Sequence, residues 1–309
     1  MPRSKTPKNM IQSWSRRTFL NRLAAMAVAG IWLQPGFANG AVKQGGRRIV
    51  CVGGGITEIV YVLGAEQALV GVDTTSLYPQ AATSLPSVGY ARALSSEGIL
   101  ALRPTHLLAT EDAGPPSVLR QVSDAGVPVT ILAANDTFEG VIERIQRVGA
   151  LTDRHMQASQ LEKQFRQDWQ RARSPILARK KPAAPRVLFV LSHSPGQVMV
   201  GGKGSSADAM IAYVGARNAV DGFDGFKPLT PEAVIAAQPD IVLMTTQGMQ
   251  VIGGIDGVLK LPGMAQTSAG QKRRVVALEA MFMLGFGPRL PQALTTLDQL
   301  LINAMQVSP

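Results

Sequence analysis

Tyr90 and Arg92, two residues apart in Gly89-Tyr-Ala-Arg, are the side chains of this sequence best suited to hold a ligand. A phenol titrates near about 10 and is a poor donor while protonated. A neighbouring guanidinium favours the phenolate. Phenolate is a hard anionic donor suited to ferric iron, and tyrosine is an established axial ligand of haem iron. Arg92 could stabilise that anion or pair with a propionate. The alternative is a loop tyrosine packed on its neighbours.

Other chemistries find less support. Gly53-Gly54-Gly55-Ile-Thr-Glu58 invites a dinucleotide reading, but Glu58 stands where the fingerprint needs its third glycine and would meet the pyrophosphate with a carboxylate. A tight turn is the better account. His106, His155 and His193 are the only histidines and none is paired at metal-ligand spacing. His106 and His155 read as structural. His193 follows an apolar run in a Ser/Gly loop, where it could reach a ligand. The sequence contains no nucleophile elbow or paired-carboxylate motif, and Lys203-Gly-Ser-Ser206 lacks the spaced glycines of a phosphate loop. Cys51, the one cysteine, sits in Ile49-Val-Cys-Val52 and reads as a buried strand residue.

The formal charge of +10 over 309 residues suggests a nucleic-acid partner at first sight. Residues 1–40 hold six basic groups and no acid, which leaves 25 basic against 21 acidic residues elsewhere. That is an ordinary surface, and no nucleic-acid partner is expected. The N-terminus reads as a targeting segment. Ser15-Arg-Arg-Thr-Phe-Leu20 matches the twin-arginine export signature, and Leu23 to Leu33 forms an apolar run of 11 residues. A membrane span needs about 20. Residues 1–40 are therefore expected to be a twin-arginine signal peptide, cut near Ala38 or Gly40, of a periplasmic protein.

Apolar runs at Arg48–Val52, Leu69–Val72, Thr105–Thr110 and Val127–Leu132 alternate with helical patterns at 57–63, 96–102 and 116–125. This alternation predicts an α/β lobe with a largely parallel sheet over 41–136. Residues 137–181 carry helical spacing with no strong breaker before Pro175 except Gly149, and predict a long connecting helix or two helices in line. Strand and helix patterns restart over 182–309. Two short matches recur in the same order. Ile59-Val-Tyr-Val-Leu-Gly-Ala65 resembles Met210-Ile-Ala-Tyr-Val-Gly-Ala216. Leu94-Ser-Ser-Glu97 with Pro104 resembles Leu229-Thr-Pro-Glu232 with Pro239. The expected architecture is thus two similar Rossmann-like α/β lobes joined by a single long backbone helix, with a ligand cleft between them. Loops leaving the carboxyl ends of strands, at 53–55, 90–92, 111–115, 192–204 and 245–254, would line it.

These features resemble the substrate-binding proteins of ABC importers for haem, siderophores and cobalamin. Within that group, Val88-Gly-Tyr-Ala-Arg-Ala-Leu-Ser-Ser-Glu-Gly98 and Phe189-Val-Leu-Ser-His193 resemble the haem-binding members. The resemblance implies that Tyr90 is the axial ligand of haem iron, supported by Arg92, and that His193 could serve a second haem. It implies that Glu97 and Glu232 meet basic residues on the two subunits of an ABC permease driven by its ATPase. Indirectly it implies an outer-membrane haem receptor upstream, and a monomeric, non-enzymatic carrier. One departure concerns the loop after Met244-Thr245, where the family presents an arginine. This chain has Thr246-Gln-Gly-Met249, so Gln247 can donate a hydrogen bond without charge, and Lys227 or Arg289 would have to compensate. The alternatives are a ferric-siderophore or cobalamin carrier, or a periplasmic haem or redox enzyme.

Overall fold

A computed structural model describes residues 46–133, 135–179, 184–191 and 199–306. The expected signal peptide and His193 lie outside these residues. The first half contains β1 (Ile49–Val52), α1 (Gly54–Val62), β2 (Leu69–Val72), β3 (Gly89–Tyr90), β4 (Ala93–Leu94), α2 (Ser96–Ala101), β5 (His106–Thr110), α3 (Pro116–Asp124) and β6 (Val129–Leu132). Every residue of β1 is buried. An apolar run with both faces covered suits a parallel strand between helices. The sheet order is β2-β1-β5-β6, and all three pairings are parallel.

The connecting segment departs from the expected single helix. It is two helices, α4 (Phe138–Leu151) and α5 (His155–Ala178). They run antiparallel: Phe138 stacks on Phe165 and Trp169, Gln146 donates to Glu162 at 2.7 Å, and Gly149 faces Ala158. The turn is made at Asp153, whose φ of 54° is the left-handed conformation that aspartate tolerates better than most residues. A Cβ at Gly149 would run into Ala158, so the glycine permits the close return. No Pro marks this turn, and Pro175 sits inside α5 without ending it. Of the two breakers, Gly149 lies beside the turn and Pro175 does not mark one.

The second half contains β7 (Arg186–Leu191), β8 (Met199–Gly201), α6 (Ser206–Tyr213), β9 (Arg217–Asn218), β10 (Phe226–Pro228), α7 (Pro231–Ala237) and β11 (Ile241–Thr245). It continues with α8 (Thr246–Val251), α9 (Gly254–Leu259), α10 (Ser268–Gln271), β12 (Val275–Leu278), α11 (Ala280–Leu284) and α12 (Leu290–Gln306). Its parallel strands follow the order β9-β7-β11-β12, with β8 and β10 added antiparallel. This repeats the order of the first sheet, since β2 and β9 each follow the first helix of their half. The repeated sequence motifs thus sit at equivalent places in two equivalent sheets.

One apolar cluster includes Ile49, Cys51 and Leu108 from the first sheet and Val187, Phe189, Ile241 and Leu243 from the second. Ile145 and Phe165 of the helical hairpin and Leu294, Leu297 and Leu301 of α12 join it. Phe165, Phe189 and Phe286 are fully buried, each contributing about 1.5–3 kcal/mol by removal from water.

Candidate functional site

β3 and β4 form a two-residue hairpin in which Tyr90 pairs with Ala93. So small a hairpin has no stability of its own, and its neighbours hold it. Thr74 N–H donates to the Gly89 carbonyl at 2.9 Å. Gly114 N–H donates to the Ala91 carbonyl, and Leu94 N–H to the Gly114 carbonyl, both at 2.8 Å. Val88, Ala91 and Leu94 turn inward onto Val52, Ile99 and Ala109. Tyr90 and Arg92 therefore point outward, and Tyr90 is 49% exposed. Loops from the carboxyl ends of β2 and β5 thus carry the tyrosine.

Arg92 is engaged by Asp112, with Nε at 3.0 Å and a terminal nitrogen at 2.8 Å from the same carboxylate oxygen. The hydrogen bond to Asp112 raises the guanidinium's affinity for its proton, burial opposes this, and the fields of Asp112 and Tyr90 add to it. Burial works to raise the Asp112 carboxyl. Hydrogen bonds from Thr110 and Arg92 outweigh it and hold the group below its ordinary range. Asp136 lies within the electrostatic reach of Asp112. Burial pushes it up to about 6, against the pull of the buried Arg144. Asp112 has no motif, and only its place in the 111–115 loop could have flagged it.

A second polar group joins the two halves. Arg289 donates to both carboxylate oxygens of Glu58, from Nε at 2.8 Å and from a terminal nitrogen at 2.5 Å. Its guanidinium also covers the Tyr78 ring, 3.8 Å from the centroid, and approaches Phe282 at 5.0 Å. Burial pushes the Glu58 carboxyl up, and the Arg289 hydrogen bonds offset part of that. The backbones meet closely here, since a Cβ at Gly55 would collide with the Gly285 carbonyl oxygen. Leu77, Tyr78, Glu279, Phe282 and Arg289 line a cavity of about 290 Å³ beside the pair. Asp73 fixes the adjoining loop by accepting from Gly53 N–H, Thr75 N–H and the Ser76 hydroxyl at 2.9–3.0 Å.

The remaining expected residues are dispersed. Gln247 is exposed in the first turn of α8, a helix capped by Thr245, where a loop was expected. Lys227 is exposed on β10 with its ammonium 5.3 Å from the Phe223 ring centroid. His155 opens α5 and His106 opens β5. Among the described residues, no group of three His, Cys, Asp or Glu is placed to hold a metal ion. Glu97 and Glu232 are both exposed and occupy the same position of equivalent helices, two residues after the caps Ser95 and Thr230. Hydrogen bonds to its own backbone and to Thr230 hold the Glu232 carboxyl below its ordinary range.

A repeated pair of parallel α/β sheets, with loops gathered at their carboxyl ends, is the frame of a ligand-binding protein. The periplasmic binding protein family model matches residues 49–281, and the chain belongs to that family. Among solved structures it is similar to the periplasmic heme-binding protein BhuT in complex with two hemes, at 47% identity over 84% of this chain and all of that one, with a TM-score of 0.81. Among curated proteins it is 27% identical over 262 residues to an uncharacterized ABC transporter substrate-binding lipoprotein, YvrC of Bacillus subtilis, covering 84% of this chain and 81% of that one. It is 25% identical over 233 residues to the vitamin B12-binding protein of Vibrio campbellii, covering 74% and 80%. The family and these relatives are binding proteins by name, not enzymes.

Proposed function

We propose that this protein captures haem outside the cytoplasmic membrane and delivers it to an ABC importer, with Tyr90 as the axial ligand of the iron. The observation that carries this reading is the outward-facing Tyr90 on a hairpin pinned from both sides. A fixed phenol costs little ordering entropy when it meets a ligand. The identity to BhuT supports haem as the cargo. In this reading the cargo sits between the two α/β halves, which is supported by a cavity that takes Leu77 and Tyr78 from the first and Glu279, Phe282 and Arg289 from the second. Arg289 is paired with Glu58, while Gln247 and Lys227 are exposed second-half groups that would approach the cargo. His193 serves a second haem.

Glu97 and Glu232 dock on basic residues of the two permease subunits, one from each half. Their equivalent placement on α2 and α7 supports a two-fold partner. The twin-arginine segment carries the chain across the membrane. Changing Arg16 and Arg17 to lysine should retain the protein in the cytoplasm, seen by cell fractionation.

The test of the cargo and its ligand is a haemin titration of the mature protein. Wild type is expected to give a high-spin tyrosinate spectrum that Tyr90→Phe abolishes. An unchanged spectrum in Tyr90→Phe would remove the ligand assignment. The vitamin B12-binding relative favours cobalamin as the second reading. Saturable cobalamin binding without haem binding would establish it.

A further inference from the structure

We propose that the cavity between Tyr78 and Phe282 takes a flat, uncharged edge of the cargo's conjugated ring, and so recognises a porphyrin by its π surface whether or not the ring holds a metal. This rests on the reading of haem as the cargo and extends it to a part of the site that needs no iron.

Both halves build the cavity. Leu77 and Tyr78 come from the loop after β2, and Glu279, Phe282 and Arg289 from the segment that follows β12. The first loop is fixed at its base. The Ser76 hydroxyl meets the Thr57 hydroxyl at 2.7 Å and donates to Asp73 at 2.9 Å, and Leu77 N–H donates to the Thr75 carbonyl at 2.9 Å. The same loop reaches the Tyr90 hairpin, because Thr74 N–H donates to the Gly89 carbonyl at 2.9 Å. Arg289, held in its bidentate pair with Glu58, lies over one face of the Tyr78 ring, yet that ring is 48% exposed. An aromatic ring steadied from one side presents its remaining surface to a ligand at little entropic cost.

The acids at the cavity are already satisfied by the protein. Both Glu279 carboxylate oxygens accept backbone N–H groups, from Met281 at 2.8 Å and from Phe282 at 2.7 Å. Both Glu58 oxygens accept from Arg289. The fields of these two carboxylates act on the one guanidinium, so the cavity has no spare positive charge to draw a propionate. What it offers is the surface of Leu77 and two aromatic rings. Such rings prefer offset or edge contacts with another ring. A volume of about 290 Å³ is at the small end for a ligand pocket and admits one edge of a macrocycle, not the whole. A flat porphyrin edge bearing methyl and vinyl groups matches that surface. A puckered corrin crowded by amide side chains does not.

The experiment titrates the mature protein with metal-free protoporphyrin IX, read by the porphyrin's fluorescence, and with haemin, read by absorbance. Wild type is expected to bind both. Tyr78→Ala is expected to weaken both about fivefold, since the contact ignores the metal. Tyr78→Phe, which keeps the ring, should recover the loss. Tyr78→Leu, which keeps apolar volume without the ring, should not. Unchanged affinities in Tyr78→Ala would overturn the proposal, as would a loss confined to haemin or full recovery by Tyr78→Leu. Wild type that binds haemin but not the metal-free ring would also overturn it and leave haem as the cargo. Wild type that binds neither would remove the cargo reading and the cavity's role with it.

Discussion

Arg289 closes a bidentate ion pair with Glu58 across 231 positions of sequence, and the Glu58 side chain is 3% exposed. The first helix of one half is thereby tied to the loop before the last helix of the other. Removing one partner strands a buried charge. Arg289→Ala is expected to cost about 3–5 kcal/mol of stability by urea unfolding. Replacing both residues with apolar side chains of similar volume should recover most of the loss. A small cost for Arg289→Ala would mean that water reaches Glu58.

Asp136 predicts a pH dependence. Burial pushes its carboxyl from 3.8 up to about 6. A folded carboxyl that binds its proton more tightly than the unfolded one stabilises the fold fully below its unfolded value, and that contribution is lost as pH rises through about 6. At neutral pH the wild type carries the cost of an ionised, half-buried carboxylate. Asp136→Asn should therefore be more stable than wild type near about pH 7.5, by roughly 1–2 kcal/mol, and equal to it near about pH 4. Matched urea curves at the two pH values check the sign.

Cys51 is fully buried in β1, and burial pushes its thiol up to about 12, with Thr57 opposing weakly. Thiolate is the reactive form. Iodoacetamide should leave the native protein unlabelled and modify one site per chain after unfolding in denaturant. Rapid labelling of the folded protein would contradict the buried strand position.

Glu97 and Glu232 can be separated from cargo binding. Under the proposed docking role, Glu97→Lys or Glu232→Lys alone should weaken the importer's response about fivefold, near 1 kcal/mol for a rim charge. The double substitution should weaken it further while haem titrations stay unchanged. Stimulation of the importer's ATPase by the loaded protein is the measurement. Equal stimulation by wild type and double variant would exclude the role.

Much of the fold could be read locally. The runs Ile49–Val52 and Ile241–Thr245 are apolar on both faces, and Ser95 and Thr230 cap helices as their types suggest. The repeated Glu-to-Pro spacing located equivalent helices because each repeat is a complete local unit. The hairpin of α4 and α5 was hidden because Asp153 turns the chain through its backbone angle, and Gly149, the one breaker nearby, lies inside α4 where it admits Ala158. Tyr90 stood out by its Gly-Tyr-Ala-Arg setting, and its exposed place on the hairpin is what the fold adds. Asp112 and the Glu58–Arg289 pair did not stand out, since pairings 20 and 231 residues apart depend on how loops from different strands converge. Gly54 and Gly55 read as a turn, yet they begin α1 and let its end approach the Gly285–Gly287 backbone.

The apolar cluster that takes residues from both sheets, both hairpin helices and α12 has a consequence for how the molecule comes apart. Two similar parallel sheets suggest two modules that could be prised from each other and refolded singly. Here each half finishes the other's interior, so expressing either one alone would leave Phe165, Phe189 or Ile49 facing water. Melting should be a single cooperative event. The two similar halves have no separate thermodynamic lives.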